Sequence, residues 1–266
     1  MAVVSRLAAL VAAAALCGGS AAVQLVDEPR GLGWSAAEVA SASSTSLQQV
    51  VERAARADAL GCAQHCEQLG RVFQRLVVEA RAQTRRAAQL PWSLTVVRLP
   101  DEAAFALPEG QIVISEALID ARGLSDEALA FVLAHEMAHS ILEHERQLLT
   151  AGRLLLPRQV ERSVRDMYVE LDHNLGLLKT LEPVLQQGEF EADELGLLLA
   201  ASAGYAPSRQ LEFMQNEVAE DSGRRALAAT HPAPLLRLQT LEQRLPLARR
   251  LHERTAEQRD GSVPRR

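Results

Sequence analysis

One short segment constrains this chain more than any other. Residues 131–140 read FVLAHEMAHS, which places two histidines four positions apart among apolar residues. Ser125 is a suitable helix N-cap, two acidic residues follow it, and no Gly or Pro interrupts the chain up to Gln147. This pattern predicts a core-facing helix on which His135 and His139 lie on one face, one turn apart.

Two histidines with this spacing can bind one metal ion together, and Zn²⁺ is the ion that this arrangement suits best. Glu136 follows the first histidine directly and can reach a water molecule at such an ion without acting as a ligand. Because zinc lowers the pKa of water to about 7, the carboxylate could then take its proton. The plainer interpretation is a polar helix face with hydrogen-bonded histidines, which the apolar residues on the other faces make less attractive.

A catalytic zinc site needs a third protein ligand, with the fourth position left for water. His144, His173, His231 and acidic residues on later helices are candidates. In a continuous helix His144 would lie about 140° around the axis from His139. We therefore expect His144 to cap that face of the helix rather than to bind the metal.

The segment GEFEADELG at residues 188–196 offers a better ligand. Glu189 and Asp193 share one helical face, whereas Glu191 lies about 200° around the axis from Glu189 and should point away. We predict Glu189 as the third ligand and Asp193 as the residue that orients a ligating histidine. The small residues Ala192 and Gly196 would let this helix approach the first one closely.

The N-terminal residues 1–22 have the layout of a secretory signal peptide, with Arg6 before an apolar run and small residues after it. The run is too short for a membrane-spanning helix, which needs about 20 residues. Cys17 directly follows the run and offers a lipid anchor, although Leu16 stands where a small residue is usual. We expect an exported protein in the periplasm or on the periplasmic face of the outer membrane, with possible lipid attachment to the membrane left open.

Two further cysteines, Cys62 and Cys66, lie close together in the sequence. An exported protein tends to pair such thiols, and Cα atoms about 6 Å apart on one helix lie within the range of a disulfide. His65 lies between them, so a metal site is the competing interpretation. Two thiols and one imidazole on a single helix do not readily surround a tetrahedral ion, so we predict a local disulfide.

The rest of the chain indicates an α+β fold that is predominantly helical, with a small sheet beside the histidine helix. We expect a linker at 23–46, one domain at 47–256 and a disordered tail at 257–266. The pattern predicts strands at 92–99 and 111–115. Helices are predicted at 47–90 (one, or two with a break near Gly61), from Ser125 to about Gln147, over 154–187 with proline interruptions, from Gly188 to before Gly204, and at 207–220 and 234–256.

The composition excludes some classes of function. A net charge of −6 with scattered arginines argues against a nucleic-acid-binding protein, and an aromatic content of 3% argues against base stacking. We therefore expect no nucleic-acid partner. The oligomeric state is left open.

Four segments of the chain resemble the HtpX-like and CAAX-prenyl-endopeptidase-type family of zinc metallopeptidases, in a soluble, exported, single-domain branch. The resemblance spans roughly residues 92–245. The matching segments are AAFALPEGQI at 103–112, HEMAH at 135–139, EFEAD at 189–193 and Thr-His-Pro at 230–232, the last followed by Arg237.

This resemblance implies a zincin-like fold with one Zn²⁺ per chain, held by His135, His139 and Glu189. It also implies that Glu136 is the general base and that His231 points into the active site, where it either stabilises the oxyanion or binds zinc. A strand of Gln111, Ile112, Val113 and Ile114 is then expected to pair with an extended substrate. Unfolded or misfolded envelope proteins are the implied substrates. The alternative is an assembly factor or holdase in which His231 closes a structural zinc site.

Overall fold

A helical framework surrounds one small sheet in the computed structural model, which describes residues 32–101, 103–157, 161–221 and 234–261. The expected α+β, predominantly helical class is confirmed. The elements are α1 (Ala36–Arg56), α2 (Cys66–Gln83), α3 (Arg85–Gln89), β1 (Ser93–Val97), β2 (Ala104–Leu107), β3 (Gln111–Ser115), α4 (Glu116–Arg122), α5 (Asp126–Leu142), α6 (His144–Leu155), α7 (Val164–His173), α8 (Leu175–Ser202), α9 (Pro207–Asp221) and α10 (Pro234–Gly261).

The sheet has the strand order β1-β3-β2, in which β3 pairs parallel with β1 and antiparallel with β2. The expectation that Gln111, Ile112, Val113 and Ile114 pair with a substrate is therefore wrong. Both edges of β3 are already hydrogen-bonded within the sheet, so no backbone groups remain for another strand. The strand with an open edge beside α5 is β2.

The N-terminal part of the described chain is more ordered than the sequence suggested. The linker predicted for 23–46 is wrong from Ala36 onward, because Ser35 and Glu38 form a capping box that starts α1 and Val39 is buried. The break predicted near Gly61 is present, since α1 ends at Arg56 and α2 begins at Cys66. Residues 1–31, with the predicted signal peptide and Cys17, lie outside the described residues.

The histidine helix ends five residues earlier than the sequence pattern indicated. Ser125 caps α5 as expected, but the helix stops at Leu142 because Glu143 adopts a left-handed conformation with φ 57°. The chain then starts α6 directly at His144. This turn changes the direction in which His144 points.

Two later helices are longer than predicted. α8 runs continuously from Leu175 through Pro183, so the predicted start near Gly188 is wrong. Leu177 and Leu181 are buried on one face of its first half, and their packing holds the helix together despite the proline. α10 extends to Gly261, so the predicted tail is helical over 257–261. Its last residues, 262–266, lie outside the described part.

The packing of α5 against α8 forms the centre of the fold. Leu133, Met137 and Ala192 are fully buried in the core cluster that α2, the sheet, α5 and α8 share. At the crossing, a Cβ atom built on Gly196 would lie 2.9 Å from the backbone nitrogen and 3.0 Å from the Cα of His135. Only glycine permits so close an approach of the two backbones.

No helix within the described ranges combines the length and apolar character needed to cross a membrane.

We predict that Gly196→Ala destabilises the protein by about 2 kcal/mol, because the added methyl group meets rigid backbone rather than a side chain that can move. Chemical denaturation measures the change. The matched control is Gly70→Ala in α2, where a Cβ meets nothing within 4 Å. Helix propensity should make that variant as stable as the parent or slightly more stable. Equal stability of the two variants would contradict the close packing of α5 and α8.

Candidate metal centre

Three metal-ligating side chains converge where α5 crosses α8. The Nε2 atoms of His135 and His139 lie 3.1 Å apart. The two carboxylate oxygens of Glu189 each lie 3.5 Å from one of these nitrogens. The structure thus brings together the three residues that the sequence predicted as ligands, two from α5 and one from α8.

The spacing of these atoms fits a tetrahedral ion. Ligand atoms at zinc–nitrogen and zinc–oxygen bond lengths are about 3.3 Å from one another in a tetrahedron. The two histidine nitrogens, 3.1 Å apart, are near this spacing, and each lies 3.5 Å from a different oxygen of Glu189. Two imidazoles and one carboxylate are also a donor set that zinc accepts. The residues present therefore fit a zinc ion that keeps one open position.

The charges around the two histidines also favour a cation. Glu136, Glu189 and Asp193 face this region, and the guanidinium of Arg237 lies against Asp193 and Glu189. Burial lowers the pKa of His135, yet its hydrogen bonds with Asp193 and Glu189 outweigh burial and raise that pKa to about 10. The surroundings thus stabilise positive charge at the position of the first histidine, which a divalent ion would supply.

Asp193 and Arg237 fix the orientation of His135. The Oδ1 atom of Asp193 lies 3.0 Å from Nδ1 of His135, which leaves Nε2 facing the candidate site. Arg237 of α10 donates two hydrogen bonds of 2.7 Å to the fully buried carboxylate of Asp193. Burial raises the pKa of Asp193, but these hydrogen bonds outweigh burial and lower it below the usual range.

Glu136 lies at the mouth of the site, on the side of the sheet. Its carboxylate accepts a hydrogen bond from the backbone N–H of Ala106 in β2, and burial raises its pKa. A carboxylate with a raised pKa is a better proton acceptor than an ordinary one. The structure therefore places the predicted base next to the open edge of the sheet.

His144 and Glu191 both lie outside the cluster of candidate ligands, as expected, but they are linked to it through His139. Nδ1 of His144 lies 2.9 Å from Nδ1 of His139, and its Nε2 lies 3.3 Å from Glu191. The turn at Glu143 brings His144 back to the ligand, and α8 presents Glu191 to it. Glu191 stays out of the ligand cluster, as its angle around α8 predicts, and its partly exposed carboxylate contacts His144 of α6 instead.

A cleft of about 320 Å³ opens beside the three ligands. Strand β2 forms one wall, and the first turns of α6 and the middle of α8 form others. Leu148, Val184 and Leu185 make part of the lining apolar. The cleft can hold a stretch of chain that approaches the metal site along β2.

Outside this centre, Cys62 and Cys66 are joined by a disulfide with a Cα–Cα distance of 5.6 Å. They do not share a helix as expected, since Cys62 precedes α2 and Cys66 is its first residue. Glu116 accepts hydrogen bonds from the backbone N–H groups of residues 63–65. The disulfide and Glu116 together hold the loop that leads into α2.

Two residues of the last matching segment differ in what the structure shows of them. His231, predicted to face the active site, lies outside the described residues. Arg237 was noted in the sequence without a role, because its sequence position gives no sign that it lies against Asp193. That contact depends on how α10 packs against α8.

Comparison with known proteins shows related peptidases. A model of peptidase family M48 matches residues 63–245. Mitochondrial metalloendopeptidase OMA1 of Schizosaccharomyces pombe is 32% identical over 171 residues, which are 60% of this chain and 49% of that protein. The protein of the same name from Arabidopsis thaliana is 34% identical over 131 residues, which are 48% of this chain and 26% of that protein.

Metalloendopeptidase OMA1, mitochondrial, of Homo sapiens is 27% identical over 198 residues, which are 66% of this chain and 37% of that protein. The chain spans about half the length, or less, of these curated relatives. The narrower resemblance to the HtpX-like and CAAX-prenyl-endopeptidase-type branch stays a prediction.

The expected location of the protein is corrected by these relatives. Their names place them in mitochondria, which contradicts the expectation of an exported protein in the periplasm or at the outer membrane. The signal peptide expected at residues 1–22 receives no support from them either.

We predict that Arg237→Met destabilises the protein by about 3–5 kcal/mol, because it leaves the buried Asp193 carboxylate without its cationic partner. Urea denaturation measures the loss. Arg244→Met is the matched control on the same helix, where a half-exposed arginine pairs with Glu194 and the expected cost is at most about 1 kcal/mol. A cost for Arg237→Met no greater than that of the control would show that the buried ion pair does not hold α10 to α8.

Proposed function

Because the chain belongs to peptidase family M48, we propose that it is a zinc-dependent endopeptidase with its active site at the crossing of α5 and α8. The observation that carries this proposal is the convergence of His135, His139 and Glu189, with Glu136 beside them at the cleft. A structural zinc site has no need of a half-buried carboxylate next to its ligands. Glu136 therefore favours hydrolysis over a purely structural role.

In the proposed reaction, His135, His139 and Glu189 hold the ion. A bound zinc ion supplies Lewis-acid chemistry that polarises a carbonyl group and makes water more acidic. Glu136 accepts a proton from the attacking water and passes it to the nitrogen of the leaving amine. The raised pKa of Glu136 suits both steps, because the group must first accept and then release the proton.

We propose that β2, rather than β3, receives the substrate. In the antiparallel pairing of β2 with β3, the backbone groups of Phe105 and Leu107 form hydrogen bonds with β3. The backbone groups of Ala104 and Ala106 point the other way, toward the open edge of the sheet. The hydrogen bond from Ala106 to Glu136 agrees with this direction. A substrate added along this edge would pass directly beside the proposed base.

Strand addition restricts the substrate class. Only a chain without secondary structure of its own can offer a free extended segment to β2. We therefore propose that the substrates are unfolded or misfolded proteins and that the role is protein quality control. The relatives are named as metalloendopeptidases, which supports cleavage within a chain.

The proposed role of Glu136 is tested by Glu136→Gln with unfolded casein as substrate. We expect the cleavage rate to fall by about 10²- to 10⁴-fold, because an amide cannot accept the proton from water. Zinc content should remain that of the parent protein. Glu127→Gln, in the first turn of the same helix, is the control and should keep the parent rate. Full activity of Glu136→Gln would contradict the mechanism.

Metal removal tests the dependence on zinc separately. Treatment of the parent protein with a chelator should abolish casein cleavage, since no protein group replaces the ion as a Lewis acid. One equivalent of Zn²⁺ should restore it, whereas Mg²⁺ should not, because imidazole ligands suit zinc and not magnesium. Cleavage that survives chelation would exclude a metallopeptidase.

The proposed substrate strand is tested by Ala104→Pro, which removes one outward N–H group but none that β3 uses. We expect KM for an extended peptide to rise several-fold with the fold retained, as judged by circular dichroism. Ala104→Ser keeps the N–H group and serves as the control. An unchanged KM in the proline variant would mean that substrate does not bind at the N–H of Ala104.

A further inference from the structure

We propose that His144 and Glu191 are positioning residues that hold His139 in the tautomer needed to bind the metal. The inference rests on the proposed zinc site and deepens it. It assigns a role to two residues for which the reaction described above has no use.

The three side chains form one continuous chain of hydrogen bonds that leads away from the candidate site. His139 directs Nε2 toward Glu189 and His135, and its Nδ1 lies 2.9 Å from Nδ1 of His144. His144 in turn directs Nε2 to a carboxylate oxygen of Glu191 at 3.3 Å. Three of the four ring nitrogens therefore have a partner within this chain of hydrogen bonds, and the fourth, Nε2 of His139, faces the candidate site.

The carboxylate at the end sets the direction of the hydrogen bonds. Because an ionised carboxylate only accepts, Nε2 of His144 must donate to Glu191. A neutral His144 then has an unprotonated Nδ1, which accepts the N–H from Nδ1 of His139. The Nε2 atom of His139 is left with its lone pair toward the site, which is the form that binds a metal.

His135, the other proposed ligand, is oriented in the same way, but its carboxylate partner contacts it directly. Asp193 accepts from Nδ1 of His135 and so directs Nε2 of that histidine toward the site. Both ligating imidazoles are thus oriented by a carboxylate, one directly and one through His144. Partners of this kind orient metal ligands in many metalloproteins and strengthen metal binding.

Local backbone features bring His144 into this position. The left-handed residue Glu143 ends α5 and turns the first residue of α6 back toward His139. Gly188 of α8 packs against the ring, where even a Cβ would make ordinary van der Waals contact, at 3.4–3.7 Å from three imidazole atoms. The His144 side chain is 9% exposed and Glu191 is 41% exposed, so the contact between the two histidines is better shielded from water than the contact with Glu191.

The obvious alternative is that His144 and Glu191 merely tie α6 to α8. A tie of this kind would affect the stability of the protein but not the affinity of its zinc site. Zinc affinity, measured with a competing chromophoric chelator on the full chain, therefore separates the two interpretations. The free energy of unfolding of the metal-free proteins is measured in parallel.

We expect Glu191→Gln and His144→Ala each to weaken zinc binding by about 10- to 100-fold. The double variant should bind zinc no more weakly than the weaker single variant, because both residues act through one chain of hydrogen bonds. His144→Gln, which keeps one donor and one acceptor, should recover part of the affinity lost in His144→Ala. Glu194→Gln, the same substitution on the same helix, is the control and should bind zinc within about twofold of the parent.

Three results would overturn the inference, and they differ in what else they affect. If the parent binds zinc and both single variants bind it equally well, the positioning role is wrong while the proposed zinc site stands. If the parent itself binds no zinc, the proposed function fails and the positioning role fails with it. Weaker binding that is explained entirely by a matching loss of metal-free stability, without rescue by His144→Gln, also rejects the proposal.

Discussion

The close contact between α5 and α8 at Gly196 is the constraint on which the rest of this structure depends. The backbone of His135 lies so close to Gly196 that even a methyl group at Gly196 would clash with it. This contact also determines how closely Glu189 and Asp193 of α8 approach α5. One turn of α5 supplies two imidazoles, and one turn of α8 supplies a ligand and its neighbour. Because ligand distances tolerate errors of only a few tenths of an ångström, the two helices have to be fixed at the backbone level.

Burial of charge is the second requirement, and α10 meets it. Asp193 is fully buried, and a carboxylate in that position is stable only when strong donors surround it. Arg237 donates to both carboxylate oxygens, and His135 contacts one of them. Helix α10 therefore contributes to the site without reaching the proposed substrate. The core, the ion pair and the proposed ligands form one connected unit.

The sequence predicted the parts of the site that depend on helical periodicity. His135 and His139, and likewise Glu189 and Asp193, are four residues apart, and each pair could be assigned to one face without knowledge of tertiary structure. The predictions that were wrong concern features that depend on non-local packing. A left-handed residue at Glu143 redirected His144, and no local pattern marks such a residue when it is a glutamate.

The predictions of the strand pairing and of the helix boundaries were wrong for similar reasons. The strand at 111–115 was predicted correctly as a strand, but its place between two partners depends on contacts that the strand itself does not encode. α8 continued through Pro183 because buried leucines on its first half pack against other helices. The position of β3 within the sheet moved the proposed substrate edge from β3 to β2, whereas neither error changed the proposed metal ligands.

The central claim is that His135, His139 and Glu189 together hold one zinc ion, and elemental analysis of the purified full chain tests it most directly. The account predicts about one zinc ion per parent chain and a large loss of zinc in Glu189→Ala, with the metal-free fold retained. Parent protein without zinc, or Glu189→Ala with zinc content equal to that of the parent, would contradict it.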